Sequence, residues 1–470
     1  MIEIEPVPKY YAWGSHDALQ RLFRLDGAAG PSRPLAEMWF SGHAASPSML
    51  RMPGALCPVG LDAAIREDPD GMVGPGVSRA FGPVLPYLFK VIAARIPLSL
   101  QVHPVDFEAR AGFNREQAAG IPRDAPERSF RDSVAKHEMV VALQPFEAAV
   151  GFMPVDVVRR ALGMVDHPVA LRMLAALRGA TEAGADAGAD AGGMADADRM
   201  MPPAALTWPA SRKALFRAFH AAVTAPADDA AGIPDALTRA ADVLRRSRGA
   251  DDPALRAVGN AIVAADAFLG DPSVLALLMM NPVRLDVGES VFIPAGTPHA
   301  YLHGMAAEIM TNSDNVLRAG MTPKHKDIAN LLRNLNCAPS VPIDPRSRML
   351  GARIAGDLVT YRPRLDAYML AYGHVGAPAP RPMLLRLAER YGHGILPDVP
   401  RFAQQDWLSQ RLALPRRTPR VVLCCGGGIT VRDDTGERTL AQGQAVFVPA
   451  SAGAVAIDGS GSFLLASTPF

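Results

Sequence analysis

The spacing of apolar residues along the chain changes period twice, from about two to about 3.6 and back again. Residues 2–7 and the stretch LAEMWFSGHAASPS alternate apolar and polar positions, which predicts strands, the second ending in a Gly/Ser loop. Between them DALQRLFRL has the pattern of a short amphipathic helix. Residues 84–104, VLPYLFKVIAARIPLSLQVHP, predict two strands parted by a turn near Ala93 to Pro97. Side chains alternate on a strand, so Ser99, Gln101 and His103 share one face of the second, and Leu98, Leu100 and Val102 the other. One face is apolar and the other chemically capable. A helical piece around DFEARAGFNREQAAG follows, and DSVAKHEMVVAL leads into a buried strand with Lys136 and Glu138 on one face. A carboxylate at the mouth of such a strand needs a partner.

From 154 to 280 the period is helical: VDVVRRALGM, ALRMLAALRG, SRKALFRAFHAAV, DALTRAADVLRRS, ALRAVGNAIVAADAFLG and SVLALLM, with Asp271 and Pro272 at the start of the last. Inside this block EAGADAGADAGGMADAD is acidic, repetitive and short of core residues, which predicts a flexible surface loop over 180–198. Strand character returns at 281. In GESVFIPAGTPH, residues 288–299, Val291, Phe292 and Ile293 are β-formers, and Pro294 and Gly296 interrupt the ladder just before His299. A core-held strand followed by a stiff loop delivers His299 to a fixed point, and Tyr301 and His303 continue on its strand face. DIANLLRNL predicts a helix after Lys324. The remainder predicts more strands. The glycines at 426–428 precede β-branched Ile429, Thr430 and Val431, so they form a strand turn rather than a dinucleotide loop.

An internal echo links two of the strand regions. GESVFIPA at 288–295 and GQAVFVPA at 443–450 repeat glycine, valine, phenylalanine and Pro-Ala at equal spacing. The step from Pro294 to His299 leads from Pro449 to Ala454, so the second copy lacks the histidine.

Composition narrows the function classes. The chain has 470 residues, enough for two or three domains, and 48 Lys plus Arg against 47 Asp plus Glu. No global field favours nucleic acid, and attraction for an anionic substrate has to be local. No apolar run is long enough for a membrane span, and MIEIEPVPKYYAWGS has no signal-peptide pattern, which predicts a cytoplasmic protein with small-molecule partners, no membrane and no nucleic acid. Cys57, Cys337, Cys424 and Cys425 have no CxxC spacing and are expected to be reduced and at least partly buried.

The spacing of Gly288, Pro294, Gly296 and His299 resembles the second metal-binding motif of the cupin barrels. Beyond it, SDNVLRAGMTPK resembles the SDNVxRAGLTPK signature of type I mannose-6-phosphate isomerases, with Ser313, Asp314, Asn315, Val316, Arg318, Ala319, Gly320, Thr322, Pro323 and Lys324 in place. The likeness runs from about residue 8 to 335, through YAWGS, LAEMWFSGH and DSVAKHEM, and more weakly beyond. DSVAKHEM departs from the family's DxNHKPEM: Asp132, Lys136, Glu138 and Met139 match, while Val134, Ala135 and His137 stand for asparagine, histidine and proline. On a strand His137 points with Ala135 and away from Glu138, and is expected to be structural. With the internal echo, the resemblance implies a mainly β fold with inserted α, made of two cupin-like (jelly-roll) β-barrels plus a helical domain. Residues 1–153 and 281–335 form the catalytic barrel, 154–280 the helical insert, and 336–470 a second, metal-free barrel.

If the strands close into one barrel, Gln101, His103, Glu138 and His299 converge on one metal. Two imidazoles, a carboxylate and an amide oxygen suit Zn²⁺ with a position left for water or substrate. Iron and manganese accept the same donors. The four positions match the zinc ligands of the family, which implies one Zn²⁺ per chain and conversion of D-mannose 6-phosphate to D-fructose 6-phosphate through an enediol. That chemistry needs a base near C1 and C2, charge stabilisation at O1 and O2, and a phosphate anchor. The resemblance points to Arg318 as the catalytic arginine. Lys136, Glu308 and Asp314 are candidates for moving protons, and Ser99, Lys90 and Lys324 for phosphate or ligand contacts. Tyr301 is a further substrate-side candidate, and Trp13 and Glu37 match family stretches that line or support the active site. The expected state is a monomer acting on a sugar phosphate. Two other classes remain: an Fe²⁺ cupin oxygenase, against which Gln101 and the RAGMTPK loop count, and a sugar-phosphate binding protein without turnover.

Overall fold

A computed structural model describes residues 1–25, 33–52, 54, 56–178, 191–247, 249–355, 358–376, 381–391, 412–414 and 417–469. The chain opens with strands Ile2–Glu5 (β1), Val7–Lys9 (β2), Glu37–Phe40 (β3), Met49–Arg51 (β4) and Val59–Gly60 (β5). Tyr87–Ala94 (β6), Leu100–Val102 (β7), Glu138–Ala142 (β8) and Phe146–Phe152 (β9) follow. Past the helical block come Met280–Leu285 (β10), Ser290–Ile293 (β11), His299–Thr311 (β12) and Leu317–Gly320 (β13). Leu350–Ala355 (β14), Leu358–Pro363 (β15), Met369–Val375 (β16) and Leu412–Leu414 (β17) precede Arg420–Asp433 (β18), Gly436–Ala441 (β19), Ala445–Val448 (β20) and Val455–Ser467 (β21).

Among the described residues these strands make two antiparallel sheets. One runs β10-β9-β12-β6-β3-β2, with β7 and β8 also on β12, β11 on β8 and β13 on β7. The other runs β14-β15-β16-β21-β18-β20-β1-β4-β5, with β17 on β21 and β19 on β18. The echo is preserved in three dimensions. β11 leads into the long strand β12 as β20 leads into the equally long β21, each pair following a glycine at positive φ, Gly288 at +83° and Gly443 at +85°.

The N-terminus crosses between the units. Ile2 lies opposite Phe447, Ile4 opposite Leu50, and the terminal ammonium meets Asp433 at 3.1 Å. The expected assignment of 1–153 to the first unit alone therefore does not hold for β1, β4 and β5. Alternation predicts a strand and its buried face, but not the sheet edge that will accept it.

In β6, β8, β11 and β12 successive side chains face two different cores. Phe89, Val91, Met139, Val141, Phe292, Met305 and Ile309 pack with Tyr361, Leu370, Val421, Phe447 and Leu464 of the second sheet. The alternate positions, Ile92, Val140, Val291, Ile293 and Ala306, form an inner cluster with Tyr301. Lys90, Glu138 and Glu308 occupy the inner register of β6, β8 and β12, where the sequence pattern left a buried charge on each strand. That register is where the chemistry gathers.

The helical block is as expected in its described part, with helices Val155–Gly163, Pro168–Arg178, Ala210–Val223, Ile233–Ser247 and Pro253–Ala267 closed by the 3-10 helix Pro272–Met279. The expected acidic loop is different. Ala191–Met200 is a helix, its Asp198 paired with Arg217, and residues 180–190 lie outside the described residues. Alanine and methionine supply the helix propensity that the glycines weaken.

Three smaller expectations also change. The ladder shifts register between Tyr301 and His303, where Gly304 has φ +108°, and the bulge turns His303 outward to solvent. The glycines at 426–428 are not a turn but lie inside β18, directly after a register shift between Cys424 and Gly426, with Gly427 at φ +69°. Cys57 is exposed; all four cysteines are unbridged. Among the described residues no helix is long and apolar enough to cross a membrane.

One prediction arises from the second sheet. Burial pushes the imidazole of His374, on β16, down to about 4. The unfolded chain therefore takes up a proton near pH 6.5 that the folded chain refuses, and stability falls as pH drops from about 6.5 towards 4. Thermal midpoints of His374→Asn across that range are expected to fall less steeply than those of the parent; equal slopes would exclude His374 as a contributor.

Candidate active site

Three ligand-type side chains meet at the end of the inner register. His299 starts β12, Glu138 starts β8, and His103 follows β7, and their donor atoms lie within 4.8 Å of one another, all buried. His103 Nε2 is 2.9 Å from one oxygen of Glu138 and His299 Nε2 is 3.2 Å from the other. Both Nδ1 atoms face carbonyl oxygens, His103 that of Asn315 at 2.8 Å and His299 that of Thr297 at 3.0 Å. A carbonyl can only accept, so each Nδ1 carries the proton and each Nε2 is left with a lone pair. Bare nitrogens pointed at a carboxylate repel it unless a cation lies between them. Burial also pushes the His103 imidazole down to about 4, so a proton does not serve as that cation at neutral pH. The donor set thus fits a divalent metal on its own geometry.

Gln101 completes the group. It lies opposite His299 in the ladder, with its amide Nε2 3.1 Å from His299 Nε2. Turning the amide over exchanges nitrogen for oxygen and offers Oε1 to the same point. Lys136 Nζ stands 3.2 Å from Glu138. Burial works against charge on Glu138, but the His103 imidazole and the Lys136 ammonium outweigh it and hold the carboxyl below its usual range. The two shifts do not agree, since the lowering of Glu138 draws on a charged His103 while burial keeps His103 neutral; the neutral imidazole is the consistent choice, because Lys136 already balances the carboxylate.

The SDN signature proves to be the brace behind His103. Asp132 accepts from Ser313 Oγ and from the Asp314 N–H, both at 2.8 Å, and from the Val134 N–H at 2.9 Å. Asn315, fully buried, donates to the carbonyls of Asp132 and Val134 and accepts from the Arg131 N–H at 2.8 Å. The loop so fixed presents the Asn315 carbonyl to His103. His137, in the place of the family's proline, takes the Ala295 N–H at 3.1 Å on Nδ1 and stacks on Phe292. It braces the loop before His299 and does not join the metal group, as expected. Ala135 is buried, its carbonyl bonded to Thr311 Oγ1.

A second buried network lies beside the first. Lys90 Nζ is 2.9 Å from Glu308, directly opposite on β12, and 3.6 Å from Glu37 on β3. Burial opposes the ammonium, but Glu308, Glu37 and Glu138 together raise its pKa. Burial, with Glu138 and Glu37 adding to it, raises that of Glu308 despite Lys90. Tyr301 Oη donates to Glu138 at 3.2 Å. Glu37 is buried and paired, also accepting from Trp39 Nε1. Lys90 and Tyr301, both expected to touch substrate, are buried and bound to Glu308 and Glu138 of this group.

The rim is cationic. Arg318 lies opposite Gln101 on β13, which sets it on the ligand face. Burial and the neighbouring Arg131 lower the pKa of Arg318. No ion pair joins Arg318 to Asp314 among the described residues; Asp314 pairs with His43 at 3.3 Å instead. Lys324 Nζ stands 5.2 Å above the ring of Tyr11, which stacks on Trp13. Ser99, half-buried before β7, makes no side-chain hydrogen bond to this group. Tyr11, His43 and Arg131 went unassigned in the sequence. Burial raises the pKa of Tyr11, with Glu37, Lys90, Arg318 and Asp314 all acting on it. The signal available for it was a tyrosine pair on a polar loop, and for His43 the Gly-His pair after β3.

Known proteins share this arrangement. A family model, the catalytic domain of type I phosphomannose isomerase, matches residues 1–155. Mannose-6-phosphate isomerase of Salmonella typhimurium is 30% identical over 452 residues, 96% of this chain and 95% of its own. That of Escherichia coli is 34% identical over 327 residues, 69% and 72% of the two chains. A crystal structure of a variant phosphomannose isomerase from Salmonella typhimurium matches all of both chains with a TM-score of 0.75 at 26% identity. A zinc-bound mannose 6-phosphate isomerase matches with a TM-score of 0.74 at 26% identity, over 100% of this chain and 99% of that one. With identity of 30% across nearly the full length of both chains, and the paired histidines and carboxylate in one group, the chain belongs to the mannose-6-phosphate isomerase family and is an enzyme of that family.

Proposed function

We propose that the protein interconverts D-mannose 6-phosphate and D-fructose 6-phosphate by moving a proton between C1 and C2 through an enediol, with one Zn²⁺ held by Gln101, His103, Glu138 and His299. The observation that carries this reading is the pair of bare Nε2 atoms turned on one carboxylate, beneath a cationic rim, in a chain of this family. Zinc with a single carboxylate ligand keeps about one net positive charge and acts as a Lewis acid towards an oxyanion. Arg318, on the ligand face and joined to no carboxylate among the described residues, stabilises the charge that develops at O1 and O2. Lys136, beside Glu138, and Glu308, kept protonatable by burial, handle the proton, and Asp314 offers a further carboxylate at the rim. Lys324 meets the phosphate, with Ser99 and Trp13 along the wall of the site. Glu37, Lys90 and Tyr301 hold the floor and keep its charges in balance.

The strand pairing supports two cupin-like barrels, the first built around β12 and the second around β21, with 154–280 inserted in the first. Ala454, at the position equivalent to His299, leaves the second without that ligand. The reaction is tested by dissolving the zinc-loaded protein with mannose 6-phosphate in deuterated water. Exchange of the C2 hydrogen and appearance of fructose 6-phosphate are expected. Binding of the sugar phosphate with neither would make the protein a sensor and end the isomerase reading.

A further inference from the structure

Arg318 lies near the end of β13, and the loop bearing Lys324 leaves that strand at Gly320 and passes through Met321, whose φ is +57°. That left-handed conformation is uncommon for any residue with a side chain, and a residue held in it needs neighbours that impose it. Two are present. The Met321 side chain is buried in the core of the helical block, and its N–H donates to Oδ2 of Asp271 at 2.8 Å. The other oxygen of the same carboxylate accepts the Ser273 N–H at 3.0 Å and so caps the helix Pro272–Met279. The approach is close, since a Cβ added at Gly320 would stand 1.7 Å from Ser273 Oγ. Beyond Met321 the loop is not packed in this way. Thr322, Pro323 and Lys326 form one wall of a cleft of about 520 Å³ whose other wall includes Phe268 and Leu269, which leaves the chain room to move.

We infer that Asp271 is a positioning residue for substrate: through the Met321 N–H it sets where Arg318 and Lys324 stand, so the helical insert governs affinity for the anionic sugar without touching it. This rests on the proposal that those two cations meet the substrate. The carboxylate can do this because it has two oxygens, one for the cap and one for the loop. Once the second bond is gone, the backbone of Met321 relaxes towards negative φ and the cations move with it.

Asp271→Ser separates the two duties. Serine still caps Ser273, but its single oxygen leaves the Met321 N–H without a partner. The KM for mannose 6-phosphate is expected to rise about tenfold, with kcat within about threefold and zinc content unchanged. Adding Met321→Gly, which adopts positive φ without strain, is expected to recover part of the affinity. A merely structural lesion would be deepened by losing the buried methionine. If Asp271→Ser does not fold, Asp271→Asn, which keeps the shape and one accepting oxygen, should show the same split more weakly. Arg318→Ala and Lys324→Met are measured alongside. If they raise KM and the Asp271 variants do not, the positioning role is overturned and the site reading stands. If Lys324→Met leaves KM unchanged and Arg318→Ala changes neither KM nor kcat, both ideas fall, whatever Asp271→Ser does.

Discussion

His299→Ala is expected to abolish both metal binding and turnover. The side chain is fully buried, and it contributes one of the two bare nitrogens that face Glu138. Alanine leaves Gln101, His103 and Glu138, a set with one imidazole and a weak amide donor that holds a divalent ion poorly in competition with water. Loss of a charge-stabilising metal removes several kcal/mol from the transition state, so kcat/KM should fall about a thousandfold or more. Metal content by elemental analysis should drop from about one ion per chain to near zero, and added Zn²⁺ should not restore activity. A variant that kept its metal and its rate would remove the metal centre from this position. Asn315→Ala provides a graded companion. It leaves every ligand in place but removes the brace behind the carbonyl that orients His103, and a loss of about 10- to 100-fold in metal affinity is expected.

Lys90→Met has the second large consequence, this time on stability. Lys90 is 7% exposed and is the ammonium shared by Glu308 and Glu37, themselves 3% and 7% exposed. Removing one partner of a buried ion pair typically costs about 3–5 kcal/mol, because the remaining charge has lost its water and gained nothing in return. The lost ammonium also gives the pH dependence its sign. Without it, the folded-state pKa of Glu308 rises further above its unfolded value, because burial and the neighbouring Glu138 and Glu37 all favour the neutral acid. The defect should therefore be largest at alkaline pH and shrink as pH falls and the carboxyl takes up its proton. Thermal unfolding of Lys90→Met at pH 8 and pH 5 measures this directly. The double variant Lys90→Met/Glu308→Gln should recover part of the loss at pH 8. A Lys90→Met protein as stable as the parent at both pH values would mean that the network is solvated, contrary to its burial.

Much of the site could be seen in the one-dimensional pattern because its ligands sit on strands. A two-residue period puts Gln101 and His103 on one side, and Lys136 and Glu138 likewise, whatever the sheet around them. The stiff Pro-Ala-Gly-Thr-Pro loop before His299 is likewise a local matter, and so is the helical period of the insert. The carboxylate of Glu138, at the mouth of an apolar strand, announced that something had to balance it.

Pairing could not be seen in this way. That Lys90 faces Glu308 across the ladder depends on the register of β6 against β12. That Asp314 turns to His43 rather than to Arg318 depends on a loop returning past a strand some 270 residues earlier in the chain. The bulge that expels His303 and the capture of Ile2–Glu5 by the second sheet have the same origin. Local preference and alternation are properties of neighbours along the chain, so the sequence by itself determined which segments are strands or helices and which side chains share a face. Partners across space are chosen by the closing of the whole core, and only the tertiary structure decided which charges meet and that Asp271 bonds the loop after β13.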